Sequence, residues 1–140
     1  RTILVVDTKN NQQHMLPMSD FLESMLAQRH VNQQSKSVYV FANLDPSKAI
    51  SADQRKWCRA ITAKTGIVFS QHDLRRTFIT VAESLDIPHY SLKMLVNHKT
   101  DRADVTAGYI QLTAERLREP MQRITDHFLE QMGINEHGVI

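Results

Sequence analysis

Apolar side chains recur at three- and four-residue spacing along most of this sequence, a pattern typical of helices with one buried face. It predicts helices over residues 20–29, from 51 to about 65, from 71 to 85, over a short stretch from 91 to 96, and from 113 to 133. The expected helix ends are Gly66, the segment 86–88 and Gly133. The side chains expected to face inward include Trp57, Ile61, Leu74, Phe78, Leu92, Leu95, Leu117, Met121, Ile124, Phe128 and Met132.

The first eighteen residues follow a different pattern. Residues 1–7 are rich in β-branched side chains, residues 13–18 can return beside them, and the polar residues between favour a turn. We therefore predict a β-hairpin with Lys9 at or near its tip. The fold class is mainly α (α+β), organised as a hairpin over 1–18, a helical core over 19–112, a C-terminal helix over 113–133 and a tail over 134–140.

Composition excludes several classes of protein. Hydrophobic residues make up 41% and charged residues 23% of the chain, which is typical of a soluble globular core. No apolar run approaches the ~18 residues that a membrane span needs. Cys58 is the single cysteine, so an internal disulfide is impossible and a reducing, cytoplasmic setting is expected. Residues 1–70 hold nine Lys and Arg against five Asp and Glu, an excess that permits a face binding polyanions.

Five residues in order carry a possible chemistry: Lys9, His72, Arg75, His98 and Tyr109. A tyrosine can act as a nucleophile on phosphorus if a base or a positive field helps its phenol, which titrates near ~10, to lose a proton. Arginine and histidine can hold the non-bridging phosphate oxygens. A lysine can protonate the leaving alkoxide. This set predicts phosphoryl transfer without a metal ion or a cofactor.

The motifs around these residues resemble the tyrosine recombinase, or phage integrase, family. They are Lys9 followed by Leu16-Pro17-Met18-Ser19, then His72-Asp73-Leu74-Arg75-Arg76-Thr77, Leu95-Val96-Asn97-His98 and Gly108-Tyr109. The resemblance implies site-specific DNA recombination through a 3′-phosphotyrosine intermediate, on double-stranded attachment sites. It implies a bacterial or phage-encoded, nucleoid-associated protein that forms a homo-oligomer on DNA and has no membrane partner.

The resemblance also assigns roles. Tyr109 would be the nucleophile, Arg75 the second phosphate-binding arginine and Lys9 the general acid for the leaving 5′-oxygen. His72 would assist proton transfer and His98 would bind the scissile phosphate. Arg55, Arg59 and Arg76 are candidates for contact with the DNA backbone, and a solvated helix face is the alternative for Arg55 and Arg59.

The sequence departs from the family pattern at two places. Asn97 stands where a glycine often precedes the second histidine, and Asn also tolerates the left-handed conformation of a helix end. The family's first catalytic arginine lies upstream of the hairpin, and Arg1, on the same strand as Lys9, is a poor substitute. We therefore expect residues 1–140 to be the C-terminal part of an integrase catalytic domain, inactive on its own.

The remaining expectations concern the other histidines and the last helix. His14, His30, His89, His127 and His137 lack the spacing of zinc ligands and are expected to be solvated. Pro120 should kink the last helix or mark a second start. The apolar stripe of that helix is expected to pack on its own domain, with a neighbouring protomer as the alternative.

Three other functions stay open at this point. One is a DNA-binding or scaffold remnant of an integrase that keeps the fold without turnover. Another is a metal-dependent phosphodiesterase, although the sequence lacks a cluster of carboxylates and histidines. The third is a type IB topoisomerase, which shares the chemistry but needs no exchangeable partner site.

Overall fold

The computed structural model describes residues 1–6, 13–32, 37–43, 45, 47–50, 53–98 and 113–134. Within them, two antiparallel strands precede five helices, which confirms the mainly α fold class with a small N-terminal hairpin. The elements are β1 (Thr2–Val5), β2 (His14–Pro17), α1 (Asp20–Asn32), α2 (Arg55–Thr65), α3 (Gln71–Ser84), α4 (His89–Leu95) and α5 (Arg118–Met132).

The chain divides into two compact units. Unit 1 comprises Arg1–Glu23 and Phe78–Ile140, and unit 2 comprises Ser24–Thr77. The boundaries fall inside α1 and α3, so these two helices contribute to both units.

The predicted hairpin opens unit 1. β1 pairs with β2 in a register that runs from Thr2 opposite Pro17 to Val5 opposite His14. Beyond the ladder, the Met18 amide donates to the Arg1 carbonyl at 3.2 Å, and the Arg1 guanidinium pairs with Glu23 at 2.8 Å. Lys9 belongs to the segment 7–12, which lies outside the described residues.

The hydrophobic core of unit 1 brings α3, α4 and α5 together. Leu117 and Ile124 are almost fully buried, and the hairpin adds Leu16 to the edge of the cluster. The last helix therefore packs within its own unit, as predicted. The buried members are Ala82, Ile87, Leu92, Leu95, Val96, Leu117 and Ile124.

The helix ends follow the predicted turn chemistry. α3 stops where Asp86 adopts a left-handed φ of 53° and the Ile87 amide donates to the Ala82 carbonyl at 3.0 Å. α5 stops at Gly133, with φ 66°, and the Ile134 amide donates to the Leu129 carbonyl at 2.9 Å. In both turns a left-handed residue lets the chain reverse and satisfies a carbonyl of the last helical turn.

Several predictions about unit 2 were wrong. Trp57 is 54% exposed, and Ile61 and Leu74 are exposed as well, although all three were expected to face inward. No described residue of unit 2 is buried. A unit this small exposes a large share of its surface, so helical spacing alone does not place a side chain in a core.

The start of α2 also differs from the prediction. The helix begins at Arg55 after Gln54, and the Gln54 side chain forms no capping hydrogen bond. Ser51, the predicted cap, lies outside the described residues.

Predictions about the other helices need correction too. α1 continues to Asn32, and α4 begins at His89, after Pro88, rather than at Ser91. α5 begins at Arg118, after turns over 113–117, which puts Pro120 in its first turn, where no helical amide is lost. Leu129 is buried instead of Met132, which is 56% exposed because it stands at the last position of the helix.

His14 contradicts the expectation of solvated histidines. It is only 8% exposed, and its Nε2 atom has no hydrogen-bond partner among the described residues. Its place in the sequence, shortly after the predicted polar turn, contains no signal of this burial.

None of the helices in the described part of the chain combines the length and the apolar character that a membrane crossing requires.

Candidate functional site

A capping box fixes the start of α3, one residue before His72. The Ser70 amide and hydroxyl both donate to Asp73 Oδ2, at 2.9 and 2.7 Å, while the Asp73 amide approaches the Ser70 hydroxyl at 3.4 Å. The hydrogen bonds from the Ser70 side chain and amide hold the pKa of Asp73 below its usual value, with smaller contributions from nearby cations. The carboxylate is therefore charged near neutral pH, and the predicted cap is confirmed.

His72 lines a cavity of about 570 Å³ in unit 2. One wall comes from α2 and the other from the segment that leads into α3. The structure thus brings His72 together with Arg55 and Arg59, two of the arginines that the sequence predicted to contact DNA. The other lining residues are Cys58, Thr62, Ala63, Val68, Phe69, Ser70 and Gln71.

The two arginines of this cavity differ in their partners. Arg55 Nη2 and Asp53 Oδ2 are 2.7 Å apart, and Arg55 Nε also donates to the same carboxylate. These hydrogen bonds, with the Arg55 charge, hold the pKa of Asp53 at about 2. The Arg59 side chain forms no hydrogen bond or ion pair within the described ranges, although its charge also helps to lower the pKa of Asp53. Asp53 therefore binds Arg55 directly, whereas it acts on Arg59 only through space.

Arg75 and Arg76 follow on α3 and do not line the cavity. Arg75 stands three residues after His72, so the two side chains share one face of the helix, as the spacing predicted. Arg76 Nη1 lies 3.3 Å from Asp73 Oδ1, which makes this arginine part of the capping arrangement. Both side chains are exposed to solvent.

His98 lies in unit 1, at the turn that ends α4. Asn97 adopts a left-handed φ of 48°, the conformation that its substitution for glycine predicted. The His98 amide donates to the Lys93 carbonyl at 2.9 Å, and the Asn97 amide donates to the Met94 carbonyl at 3.0 Å. This pair of bonds is a Schellman motif, which fixes the backbone of His98 and leaves the residue exposed.

Two members of the predicted set, Lys9 and Tyr109, lie outside the described residues. Their roles therefore stay predictions from the sequence. Among the residues that the structure does describe, no group of three His, Cys, Asp or Glu side chains could hold a metal ion.

Sequence reasoning missed the carboxylate that compensates Arg55. Asp53 stands two residues before Arg55, just ahead of the first turn of α2, where an acidic side chain is a common helix-start signal. That signal was available. The burial of His14, in contrast, depends on packing against distant parts of the chain.

A comparison with family models identifies the family of the chain. A model of the phage integrase family matches residues 1–116, a stretch that includes all five residues of the predicted catalytic set. No curated protein and no solved structure matches the chain. The matched stretch is 116 of 140 residues, so the chain belongs to the phage integrase family.

Proposed function

We propose that this chain supplies the catalytic residues of a site-specific DNA recombinase that cuts and rejoins strands through a 3′-phosphotyrosine. Membership of the phage integrase family makes DNA its partner. The finer proposals are that the DNA carries attachment sites, that the protein acts as a homo-oligomer on it, and that it is associated with the nucleoid.

The observation that carries the proposal is the position of His72. It is the second residue of α3 and lines the cavity that Arg59 also lines. The first turn of a helix presents unpaired amides and a positive partial charge, both of which favour a phosphate. A histidine and an arginine whose side chain forms no hydrogen bond within the described ranges suit the binding of an anionic oxygen beside that turn.

The proposed reaction uses the five residues in two balanced steps. The Tyr109 hydroxyl attacks the scissile phosphorus, giving up its proton with help from His72, and a bond from phosphorus to the phenolic oxygen forms. The bond from phosphorus to the 5′-oxygen breaks, and Lys9 protonates that oxygen. A 5′-hydroxyl of another strand then attacks the phosphotyrosine and gives its proton to Lys9. The bond from phosphorus to the phenolic oxygen breaks, and His72 helps to return a proton to Tyr109.

Arg75 and His98 have an electrostatic role in this proposal. Negative charge collects on the non-bridging oxygens as phosphorus becomes five-coordinate, and donors aimed at them stabilise the transition state. Loss of one such donor typically lowers the rate ~10²–10³-fold. Because cations of the protein do this work, we propose that the reaction needs no metal ion.

The test is covalent capture on a nicked attachment-site duplex. We would compare the wild type with Tyr109→Phe and, as a matched control, Tyr39→Phe, which removes a phenol that has no proposed role. The adduct is a protein–DNA band that survives denaturing electrophoresis. In the chain extended upstream, we expect it in the wild type and in Tyr39→Phe, with or without a chelator, and not in Tyr109→Phe.

The same assay applies to residues 1–140 and to a chain extended upstream. The family's first catalytic arginine precedes the hairpin, and Arg1 is held by Glu23 in an ion pair of 2.8 Å. We therefore expect the adduct with the extended chain and not with residues 1–140. Salt-sensitive DNA binding without an adduct from either chain would favour the binding remnant, and an adduct that survives Tyr109→Phe would refute the nucleophile.

A further inference from the structure

His14 is a buried imidazole in unit 1 that the proposed reaction does not use. It is the first residue of β2 and pairs across the ladder with Val5. Its side chain is hydrogen-bonded to the backbone of Met94, in the last turn of α4. The contact joins the hairpin to the helix that ends just before His98.

The effect of this hydrogen bond on the pKa of His14 indicates which of the two groups donates. Burial lowers the pKa of His14, while the bond to the Met94 backbone acts in the opposite sense. A bond that raises a histidine pKa is one in which the ring donates, so the acceptor is the Met94 carbonyl. Because Nε2 has no partner among the described residues, the donor is the Nδ1 N–H.

The Met94 carbonyl also accepts the Asn97 amide at 3.0 Å. The carbonyl oxygen of Met94 therefore accepts two hydrogen bonds, one for each lone pair. One donor is the Nδ1 N–H of His14, and the other is the Asn97 amide in the turn that precedes His98. A carbonyl in the last turn of a helix lacks an intrahelical partner, so each donor that reaches it restrains the end of the helix.

We propose that His14 is a positioning residue, which holds the turn at the end of α4 so that the His98 imidazole is presented to DNA in one orientation. The part of this inference that concerns DNA rests on the proposed function. The part that concerns the turn can be measured without any activity.

The first measurement needs no substitution. In the neutral ring one nitrogen carries the proton, and a hydrogen bond to the Met94 carbonyl places it on Nδ1. We expect ¹⁵N NMR of the wild type near pH 7.5 to show His14 as the Nδ1–H tautomer. An Nε2–H tautomer would overturn the proposal.

The second measurement uses a pair of variants. In His14→Asn the side-chain amide can replace the Nδ1 donor, whereas His14→Leu fills a similar volume without a donor. We expect amide hydrogen exchange at Asn97 and His98 to be about tenfold faster in His14→Leu, the effect of losing one hydrogen bond, and near the wild-type rate in His14→Asn.

The end of α5 is an internal control in the same unit. Gly133 and Ile134 form the same type of turn, with amide bonds of 3.0 and 2.9 Å to Glu130 and Leu129 rather than to residues near His14 in the sequence. General destabilisation of unit 1 would accelerate exchange at both turns. A role for His14 predicts acceleration at Asn97 and His98 alone, and equal acceleration at the two turns would contradict it.

A third measurement separates this inference from the proposed function. In the extended chain we expect His14→Leu to slow adduct formation about tenfold at saturating DNA, with unchanged DNA affinity, and His14→Asn to restore the rate. No adduct with the wild type would refute the proposed function and leave the exchange result standing. A normal adduct rate in His14→Leu would refute the positioning role alone.

Discussion

Asn97 occupies a backbone conformation that most L-residues avoid, and the placement of His98 depends on it. Its φ of 48° allows the chain to reverse direction after α4. The left-handed region costs ordinary L-residues roughly 1–2 kcal/mol, but less for asparagine and nothing for glycine. The side chain at this position therefore determines how firmly the turn before His98 is held.

A first prediction follows for this residue. Asn97→Ala should lower the free energy of unfolding by about 1 kcal/mol, since alanine lacks the short polar side chain that offsets the steric cost of the left-handed region in asparagine. Asn97→Gly should stay within ~0.5 kcal/mol of the wild type, because glycine adopts this φ without strain. Urea denaturation measures both, and an alanine variant as stable as the wild type would contradict the argument.

Arg55 and Arg59, the two arginines that line the cavity, lead to a second prediction, on the salt dependence of DNA binding. Each phosphate contact contributes ~0.9 to the slope of log affinity against log salt concentration. Arg59→Ala should reduce the slope by about that amount, whereas Arg55→Ala should reduce it less, because Asp53 compensates Arg55.

Asp53→Asn is the matched control for that comparison. It removes the carboxylate that holds Arg55, so it should tighten DNA binding and steepen the slope. Equal effects of Arg55→Ala and Arg59→Ala would show that DNA displaces Asp53 from its partner. Fluorescence anisotropy with a labelled duplex at several salt concentrations measures all three variants.

Local backbone motifs define where most of the helices begin or end. α3 begins with the reciprocal bonds of Ser70 and Asp73, and α2, α3, α4 and α5 all end at a left-handed residue. This matters for function because His72 stands at the start of one helix and His98 just after the end of another. The same backbone chemistry that terminates the helices thus positions two of the candidate catalytic side chains.

A third prediction concerns the pH dependence of the cap on α3. The pKa of Asp73 is lower in the folded chain than its ordinary value of 3.8, because Ser70 donates to the carboxylate. The unfolded chain therefore binds the proton more readily between these two pKa values. The stabilisation is complete above pH 3.8 and is lost as the pH falls through the folded-state pKa.

Two variants test whether the stabilisation by Asp73 is lost as the pH falls. Asp73→Asn should be less stable than the wild type at neutral pH, and the difference should shrink as the pH falls below 3.8. Ser70→Ala should cost about 1 kcal/mol at neutral pH by removing the N-cap. Urea midpoints from pH 7 to pH 2.5 measure both, and a pH-independent difference for Asp73→Asn would contradict the assignment.

α5 provides a fourth prediction, on the side chains that hold an element in its unit. Ile124 is 1% exposed and Met132 is 56% exposed, although both belong to the apolar stripe of the sequence. Ile124→Ala should cost ~2–5 kcal/mol through lost burial and the cavity that remains. Met132→Ala, the control, should cost less than ~0.5 kcal/mol. Comparable losses would mean that Met132 is covered, for example by another protomer.

At the scale of the whole molecule, burial is distributed unequally. The buried apolar cluster belongs to unit 1, and the described residues of unit 2 contain no buried side chain. Segments with little buried apolar surface open at lower free energy than the core does. The candidate residues divide in the same way, since His72 and Arg75 belong to unit 2 and His98 to unit 1.

A fifth prediction follows for the protein free of DNA. Amides of α2 should exchange with solvent through openings of lower free energy than amides of α4 and α5. Hydrogen exchange followed by mass spectrometry over a range of urea concentrations gives these free energies. Equal protection of α2 and α5 would show that the chain opens as one cooperative body.

Local patterns in the sequence were sufficient for much of the candidate site. The capping box at 70–73, the stop at Gly133 and the left-handed Asn97 were predicted because each depends on a few adjacent residues and their backbone bonds. The spacing of His72 and Arg75 was predicted for the same reason. The order of the motifs placed the chain in its family, as the match over residues 1–116 confirms.

The sequence by itself therefore determined which segments form helices, where most helices stop, the hairpin and the family, because these follow from local backbone chemistry and from motif order. Only the tertiary structure decided which apolar faces are covered: Ile124 and Leu129 are buried, while Trp57 and Met132 are exposed. It also decided that His14 meets Met94, eighty residues away in the chain. Burial and long-range hydrogen bonds depend on which elements pack together, and the spacing within one element does not contain that information.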